Sequence, residues 1–192
     1  MKTTAPGQSA LLLVDIIAVL NKKKIPYAVI GAFAAAFYGV VRASLDADAV
    51  VSLLTSEAII DLCDELRSKR YSVIKRKGDL NDPIAMVINI KDRFSNRVDL
   101  LMGIRGMGSG VFSRVKRSKF MDTLIKIVSL EDFIAMKVFA GNPIDIEDAI
   151  SALKVSERKV DIKLLQKTAA AYGADVLKKL KVILSENISR KI

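Results

Sequence analysis

The chain has 192 residues, of which 51% are hydrophobic and 27% are charged, as expected for a folded protein with a sizeable core. It contains no histidine, which excludes Ser-His-Asp and Cys-His catalysis and ordinary zinc sites. Any chemistry must therefore use carboxylates, lysine, tyrosine or a hard metal ion held by oxygen. The net charge of +10 suggests an anionic partner without identifying one.

The N-terminal segment and the single cysteine bear on the cellular location of the protein. No apolar run reaches the roughly 18–20 residues of a membrane span, and Asp15 interrupts the first apolar stretch. We therefore interpret residues 9–23 as an amphipathic helix rather than a signal peptide. We expect a cytoplasmic protein with no membrane partner. Because Cys63 is the single cysteine of the sequence, an internal disulfide is excluded. We predict that Cys63 is buried on an apolar helix face.

Strands and helices alternate along most of the chain, and helices follow at the end. Hydrophobic periodicity and turn residues predict strands at 27–30, 46–53, 71–75, 84–90, 97–102 and 122–128. A polar loop is predicted over 76–83. Helices are predicted at 9–23, 32–38, 56–69, 130–139, 145–153, 159–172 and 174–185. This order indicates an α/β (or α+β) domain with a mixed sheet flanked by helices.

Two aspartates share one face of the second predicted strand. Asp46 and Asp48 are two positions apart, so both carboxylates project to the same side, while the alternate apolar positions Ala47, Ala49, Val51 and Leu53 face a core. Adjacent carboxylates are costly unless a cation or basic partner lies between them. The pattern therefore predicts a metal site. The alternative is that both aspartates are strand-end residues facing solvent.

A third carboxylate, Asp99, lies inside a later apolar strand between Val98 and Leu100. It lines the same site as Asp46 and Asp48 if the two strands are neighbours. The alternative is a structural ion pair with a basic neighbour, either Arg97 or Arg114.

Together these residues resemble a known family. Gly31-Ala32, thirteen further residues and Asp46-Ala47-Asp48 are similar to the signature of the polymerase-β-type nucleotidyltransferase superfamily, which also has a later aspartate, here Asp99. The chain most resembles the small prokaryotic branch, which includes abortive-infection and toxin–antitoxin nucleotidyltransferases. In that branch a stretch like residues 129–140, with Lys137, precedes an Asp-x-x-Asp.

The resemblance implies a fold, a reaction and a site. Residues 1–153 would form a nucleotidyltransferase-like domain, and residues 154–192 a helical extension packed on it. The reaction would be Mg²⁺- or Mn²⁺-dependent transfer of a nucleoside monophosphate from a nucleoside triphosphate to a hydroxyl of RNA, of a protein partner or of a small molecule. The implied catalytic and metal-binding residues are Asp46, Asp48 and Asp99; the implied nucleotide-binding residues are Gly31, Ala32, Arg42, Ser44 and Lys137; Asp145 and Asp148 are additional candidates.

Several alternatives remain open. Lys137 is either a phosphate ligand or a surface lysine whose stem lies along the helix, and Asp145 and Asp148 either act in catalysis or favour a helix N-terminus. Ala32 departs from the Gly or Ser that is usual after the first glycine. The basic extension, with ten Lys or Arg against four Asp or Glu, is either a solvated helix face or a nucleic-acid surface. The rival function is a weakly active or inactive nucleotide-binding or antitoxin-type interaction module of the same fold.

Overall fold

The structure is a computed structural model that describes residues 2–156 and 159–188. Seven strands and seven α-helices occur in these residues. The strands are β1 Tyr27–Ile30, β2 Asp46–Val51, β3 Ser72–Lys77, β4 Ile84–Lys91, β5 Arg97–Ile104, β6 Lys116–Phe120 and β7 Thr123–Ile127. The helices are α1 Ser9–Lys22, α2 Gly31–Phe37, α3 Ser56–Ser68, α4 Leu130–Ala140, α5 Pro143–Val155, α6 Ile162–Tyr172 and α7 Ala174–Ile188.

The seven strands form one mixed sheet in the order β3-β4-β5-β2-β1-β7-β6. The β2–β5 and β1–β7 pairs are parallel, and the other four pairs are antiparallel. This confirms the prediction of a mixed sheet flanked by helices. The central position of β2 matters for function, because it places the aspartate strand between β1 and β5.

One face of the sheet is covered by α1, which contacts β2, β5 and α3. The buried residues of α1 recur at helical spacing, as an amphipathic helix against a sheet requires; they include Leu12, Leu13, Ile16, Ile17 and Leu20. Cys63 of α3 is fully buried, which confirms its predicted place in the core.

The C-terminal helices are arranged around α4, which contacts α5, α6 and α7. The predicted start of α4 is confirmed, because Ser129 Oγ accepts a hydrogen bond from the backbone N–H of Asp132 at 3.1 Å. Helix α5 continues to Val155, past the predicted boundary at residue 153. Parts of the basic extension, residues 157, 158 and 189–192, lie outside the described residues.

Three further sequence predictions about element boundaries are wrong. Leu53 is 76% exposed rather than in the core, because pairing of β2 with β1 ends at Val51. The predicted loop from residue 76 begins later, since β3 pairs with β4 as far as Lys77. Helix α6 begins at Ile162 rather than at residue 159. Asp161 precedes its first turn and accepts a hydrogen bond from the N–H of Leu164.

A buried ion pair fixes the start of α4. Both terminal oxygens of Asp132 accept hydrogen bonds from Arg114, at 2.8 and 2.6 Å, and the Asp132 side chain is 3% exposed. We expect Asp132→Ala to lower the free energy of unfolding by about 3 kcal/mol, because it leaves a partly buried guanidinium without its partner. The exposed Asp64–Arg67 pair provides the control, and Asp64→Ala should cost at most about 1 kcal/mol. Urea unfolding measures both, and equal losses would contradict a structural role for the buried pair.

Candidate active site

The three predicted carboxylates lie on one face of two neighbouring strands. The parallel register of β2 and β5 places Arg97 beside Asp46 and Asp99 beside Asp48. Residues two apart on each strand share a face, so the three carboxylates project to the same side. The structure thus brings together the aspartates that the sequence separates by about fifty positions.

Asp48 also lies against the end of β1, where the chain turns into α2. Ile30 is its partner in the antiparallel ladder, and Gly31 follows with a φ of +64°. A Cβ atom at Gly31 would overlap the Oδ2 atom of Asp48. Glycine is therefore required here for two reasons, the left-handed backbone and the close approach of the carboxylate.

The negative charge of Asp48 is only partly compensated by nearby positive charge. Burial, followed by the charges of Asp46 and Asp99, raises the pKa of Asp48 to about 6, although the charges of Arg97 and Lys137 oppose the shift. Among the described residues, none donates a hydrogen bond to this carboxylate. A cation placed between Asp48 and its acidic neighbours would relieve the repulsion.

The other two carboxylates already have partners. Ser44 Oγ donates to Asp46 Oδ1 at 2.8 Å, and Arg97 Nη2 donates to Asp46 Oδ2. Burial acts against ionisation of Asp46, but the hydrogen bond from Ser44 and the charge of Arg97 outweigh it and hold its pKa below the ordinary value.

Asp99 is held from two sides. Asn89 Nδ2 on β4 donates to Asp99 Oδ1 at 2.7 Å, and Arg97 Nη2 lies 3.6 Å from Asp99 Oδ2. The sequence suggested Arg97 or Arg114 as an ion-pair partner of Asp99. Arg97 is such a neighbour but also contacts Asp46, whereas Arg114 pairs with Asp132 instead.

The donor set suits a hard cation. All three side chains offer carboxylate oxygens, and Mg²⁺ commonly takes one or two carboxylates together with substrate phosphates and waters. In residues 2–156 and 159–188, however, no group of three or more His, Cys, Asp or Glu side chains is assembled closely enough to hold a metal ion. Arg97 lies among these carboxylates, since its guanidinium contacts both Asp46 and Asp99. The residues therefore fit a cation shared by Asp46, Asp48 and a bound phosphate.

A second cluster contains the remaining charged candidates. Lys137 is only 8% exposed, and its Nζ contacts Asp145 Oδ1 at 2.6 Å and Asp148 Oδ2 at 2.8 Å. Arg42 Nε donates to the same Asp148 Oδ2 at 3.2 Å. The interpretation of Lys137 as a surface lysine is wrong. The Asp-x-x-Asp motif pairs with Lys137 and Arg42, both predicted to bind nucleotide, and the charge of Lys137 acts on Asp48 from this cluster.

Asp145 lies in the first turn of α5, as its interpretation as a helix-start residue predicts. Its N–H donates to the side-chain oxygen of Asn142 at 2.9 Å in the first turn of α5. Asp148, in contrast, is buried one turn later and contacts Lys137 and Arg42. Three of the predicted nucleotide-binding residues, Ala32, Arg42 and Ser44, line a recess of about 170 Å³ together with Asp46, whereas Gly31 and Lys137 line a separate pocket.

Sequence reasoning missed Asn89, which donates a hydrogen bond to Asp99, and Arg76, which donates one to Asn89. Asn89 is 8% exposed, and its Oδ1 accepts a hydrogen bond from Arg76 Nε at 2.6 Å. The available signal was a polar residue within the apolar strand 84–90, paired with Asp99 across the predicted hairpin.

The chain matches no protein-family model and no curated protein. It is similar in structure to the antibiotic-resistance factor ANT(2'')-Ia, with a TM-score of 0.58, 14% identity and coverage of 95% of this chain and 97% of that one. An antigenic nucleotidyltransferase-like protein from Paracoccidioides brasiliensis has a TM-score of 0.51 at 13% identity, covering 97% and 95%. The lincosamide adenylyltransferase LnuA has a TM-score of 0.51 at 10% identity, covering 80% and 100%.

These similarities define the class of fold. The chain has the nucleotidyltransferase fold, and the resemblance deduced from Gly31, Asp46, Asp48 and Asp99 is confirmed at that level. Membership of the abortive-infection or toxin–antitoxin branch stays a prediction. None of the helices in the described part of the chain is long and apolar enough to span a membrane.

Gly31 offers a direct test of the packing around Asp48. Gly31→Ala should destabilise the protein by about 1–2 kcal/mol for the left-handed backbone and by about 1–3 kcal/mol more for displacing the carboxylate. Gly141→Ala is the matched control, because Gly141 has a similar φ of +72° but an added Cβ there meets its nearest atom at 3.5 Å. Chemical denaturation gives both values. Equal destabilisation would show that Asp48 does not lie against Gly31.

Proposed function

We propose that the protein is a nucleotidyltransferase that moves a nucleoside monophosphate from a nucleoside triphosphate to a hydroxyl acceptor, with Mg²⁺ or Mn²⁺ as cofactor. The observation that carries this proposal is the Asp48 carboxylate, which is half-buried without a hydrogen-bond donor among the described residues and is repelled by Asp46 and Asp99. Such an arrangement is unfavourable by itself and becomes favourable when a cation binds.

The roles follow from the position of each side chain. Asp46 and Asp48 would hold the cation that binds the triphosphate, and Asp99, the next carboxylate across the sheet, would accept the proton of the attacking hydroxyl. When bound, the cation would neutralise developing phosphate charge and help to align the attacking and leaving oxygens. Asn89 would keep the Asp99 carboxylate oriented through its 2.7 Å hydrogen bond.

The cationic side chains would contribute positive charge near the bound phosphates. Lys137 acts on the charge of Asp48 from α4, and Arg42 and Ser44 share the recess beside Asp46 with Ala32. Because Asp145 and Asp148 hold Lys137 and Arg42, we assign these two aspartates a positioning role rather than direct contact with the reacting atoms.

The identity of the acceptor is the open part of the proposal. Among proteins of similar fold, ANT(2'')-Ia has been solved with adenylyl-2''-tobramycin and LnuA with lincomycin. In this chain, α6 and α7 carry exposed lysines on their surfaces, which favours an RNA acceptor; they are Lys163, Lys167, Lys178, Lys179 and Lys181. A protein hydroxyl in a toxin–antitoxin or phage-defence pair is the other acceptor that the predicted branch suggests.

A second candidate function is supported by Arg97. Its guanidinium contacts Asp46 and Asp99, where it reduces the negative charge available to a cation. A chain in which Arg97 remains there would act as an interaction module of the same fold, of the antitoxin type, without turnover. Transfer of a labelled nucleotide to an acceptor, measured beside divalent-dependent nucleotide binding, separates the two functions.

Asp48→Asn provides the test. We expect it to weaken Mg²⁺–NTP binding and to lower nucleotidyl transfer about a thousandfold, because it removes a carboxylate that holds the cation. Calorimetry with each Mg²⁺–NTP measures binding, and labelled NTP with RNA or candidate partner proteins measures transfer. Asp122→Asn, at an exposed turn position, is the control and should match the wild type. Equal Mg²⁺–NTP affinity in the wild type and Asp48→Asn would contradict the proposed site.

A further inference from the structure

A second pocket lies at the end of the sheet that is farther from the carboxylates. It opens where β2 ends and β1 begins, and its volume is about 640 Å³. Pro26, Val51 and Leu53 form the sheet side of its lining. Val51 lies at the opposite end of the β1–β2 ladder from Asp48. Among the described residues, none that lines this pocket also lines either recess at the candidate active site, so the two places are separate.

The other side of this pocket is formed by a glycine-rich segment that follows β5. Met107 and Phe112 are its apolar lining residues, and Ser109 begins a short 3₁₀ turn that ends at Phe112. Val111 of this turn is 1% exposed, so it anchors the segment in the hydrophobic core. Because the turn is anchored, the pocket has a fixed wall on this side.

Gly103 allows the exposed side chain of Leu53 to lie against the end of β5. Its φ is +66°, and a Cβ atom there would meet the Leu53 Cδ2 atom at 3.3 Å and the Cβ atom of Ala85 at 2.7 Å. Leu53 therefore forms an apolar rim of the pocket, although most of its surface is in contact with solvent. A ligand in the pocket would remove this apolar surface from water, which favours binding.

Two hydroxyl groups in the lining are available to a ligand. Ser113 Oγ donates a hydrogen bond to the carbonyl oxygen of Gly110 at 2.8 Å. The hydroxyl groups of Ser52 and Ser109, in contrast, form no hydrogen bond within the part of the chain that the structure describes. Because a serine hydroxyl can both donate and accept, either of them can bind a hydroxyl or a carbonyl group of a ligand.

The charge and the size of the pocket define the class of its ligand. None of the described residues that line it is charged, and a charged group is costly to bury without a partner. Pockets for drug-sized ligands have volumes of about 300–1,000 Å³, and the volume of this pocket lies within that range. These properties suit an uncharged molecule with a compact apolar body.

We propose that this pocket is a second ligand site, for an uncharged and mainly apolar molecule that carries a hydroxyl or carbonyl group. The apolar body would lie between Leu53 and Phe112, and the polar group would form a hydrogen bond with Ser52 or Ser109. The ligand is distinct from the nucleotide and from the acceptor. The inference therefore does not rest on the proposed nucleotidyl transfer.

Binding of naphthol tests the site, because naphthol combines an apolar body with one hydroxyl group. Its fluorescence is measurable in this chain, which contains no tryptophan. Leu53→Asp should weaken naphthol binding about tenfold or more, because it replaces an apolar lining side chain with a carboxylate that has no partner. Leu80→Asp is the matched control, since Leu80 is also exposed and lies outside the lining. It should bind naphthol as tightly as the wild type does.

The hydroxyl groups are tested by a double variant and a second probe. Ser52→Ala combined with Ser109→Ala should weaken naphthol binding about two- to tenfold, the range expected for one lost hydrogen bond. Methylnaphthalene, with a methyl group at the ring position of the hydroxyl, should bind the double variant and the wild type equally. An equal effect on both probes would contradict the role of the two hydroxyl groups.

Methyl NMR spectra of the wild type locate the bound probe. Naphthol should shift the methyl signals of Leu53 and leave those of Leu80 unchanged. Naphthalenesulfonate, the charged counterpart, should not shift the Leu53 signals. Three results would overturn the inference: no Leu53 shift with naphthol, equal naphthol affinity in Leu53→Asp and the wild type, or a Leu53 shift with naphthalenesulfonate as large as that with naphthol.

Discussion

The repulsion among Asp46, Asp48 and Asp99 is the constraint on which the site depends. Three carboxylates on one face of adjacent strands are stable only if positive charge is supplied nearby. The chain supplies part of that charge through Arg97, which contacts Asp46 and Asp99, and part through Lys137 on α4. Asp48 keeps its own excess of negative charge. We propose that a bound cation supplies the positive charge that these side chains leave missing.

Distant parts of the fold maintain this arrangement. Helix α1 packs on β2 and β5, the two strands whose register pairs Asp48 with Asp99. The Arg114–Asp132 pair and the Ser129 cap fix the start of α4, and α4 carries Lys137 towards the site. Asp145 and Asp148 then hold Lys137 from α5. A change in either the sheet register or the position of α4 would alter the charge around Asp48.

Local sequence patterns predicted the parts of the site that local geometry determines. The two-residue period of a strand places Asp46 and Asp48 on one face, and Gly31 before a helical pattern indicates a sharp turn. Whether Asp99 lies beside Asp48 depends on a parallel pairing between strands separated by α3, β3 and β4. Periodicity does not encode that pairing, and the family resemblance was needed to expect it.

The errors have the same origin. Leu53 continues the alternation of β2, but β1 begins at Tyr27, opposite Val51, so the paired strand ends before Leu53. Lys137 belongs to a helix that is buried against three others, and a lysine there is indistinguishable from a surface lysine until α5 provides Asp145 and Asp148. Arg97 was recognised as a neighbour of Asp99, but its contact with Asp46 follows only from the β2–β5 register.

The central claim is that Asp46 and Asp48 share a divalent cation with a bound triphosphate. The most direct test is an anomalous difference map from crystals grown with Mn²⁺ and a non-hydrolysable nucleoside triphosphate. We expect a peak within coordination distance of carboxylate oxygens of both residues and of phosphate oxygens, with Arg97 moved away from Asp46. A nucleotide bound elsewhere, or a bound nucleotide with Arg97 still on Asp46 and no Mn²⁺ peak, would contradict it.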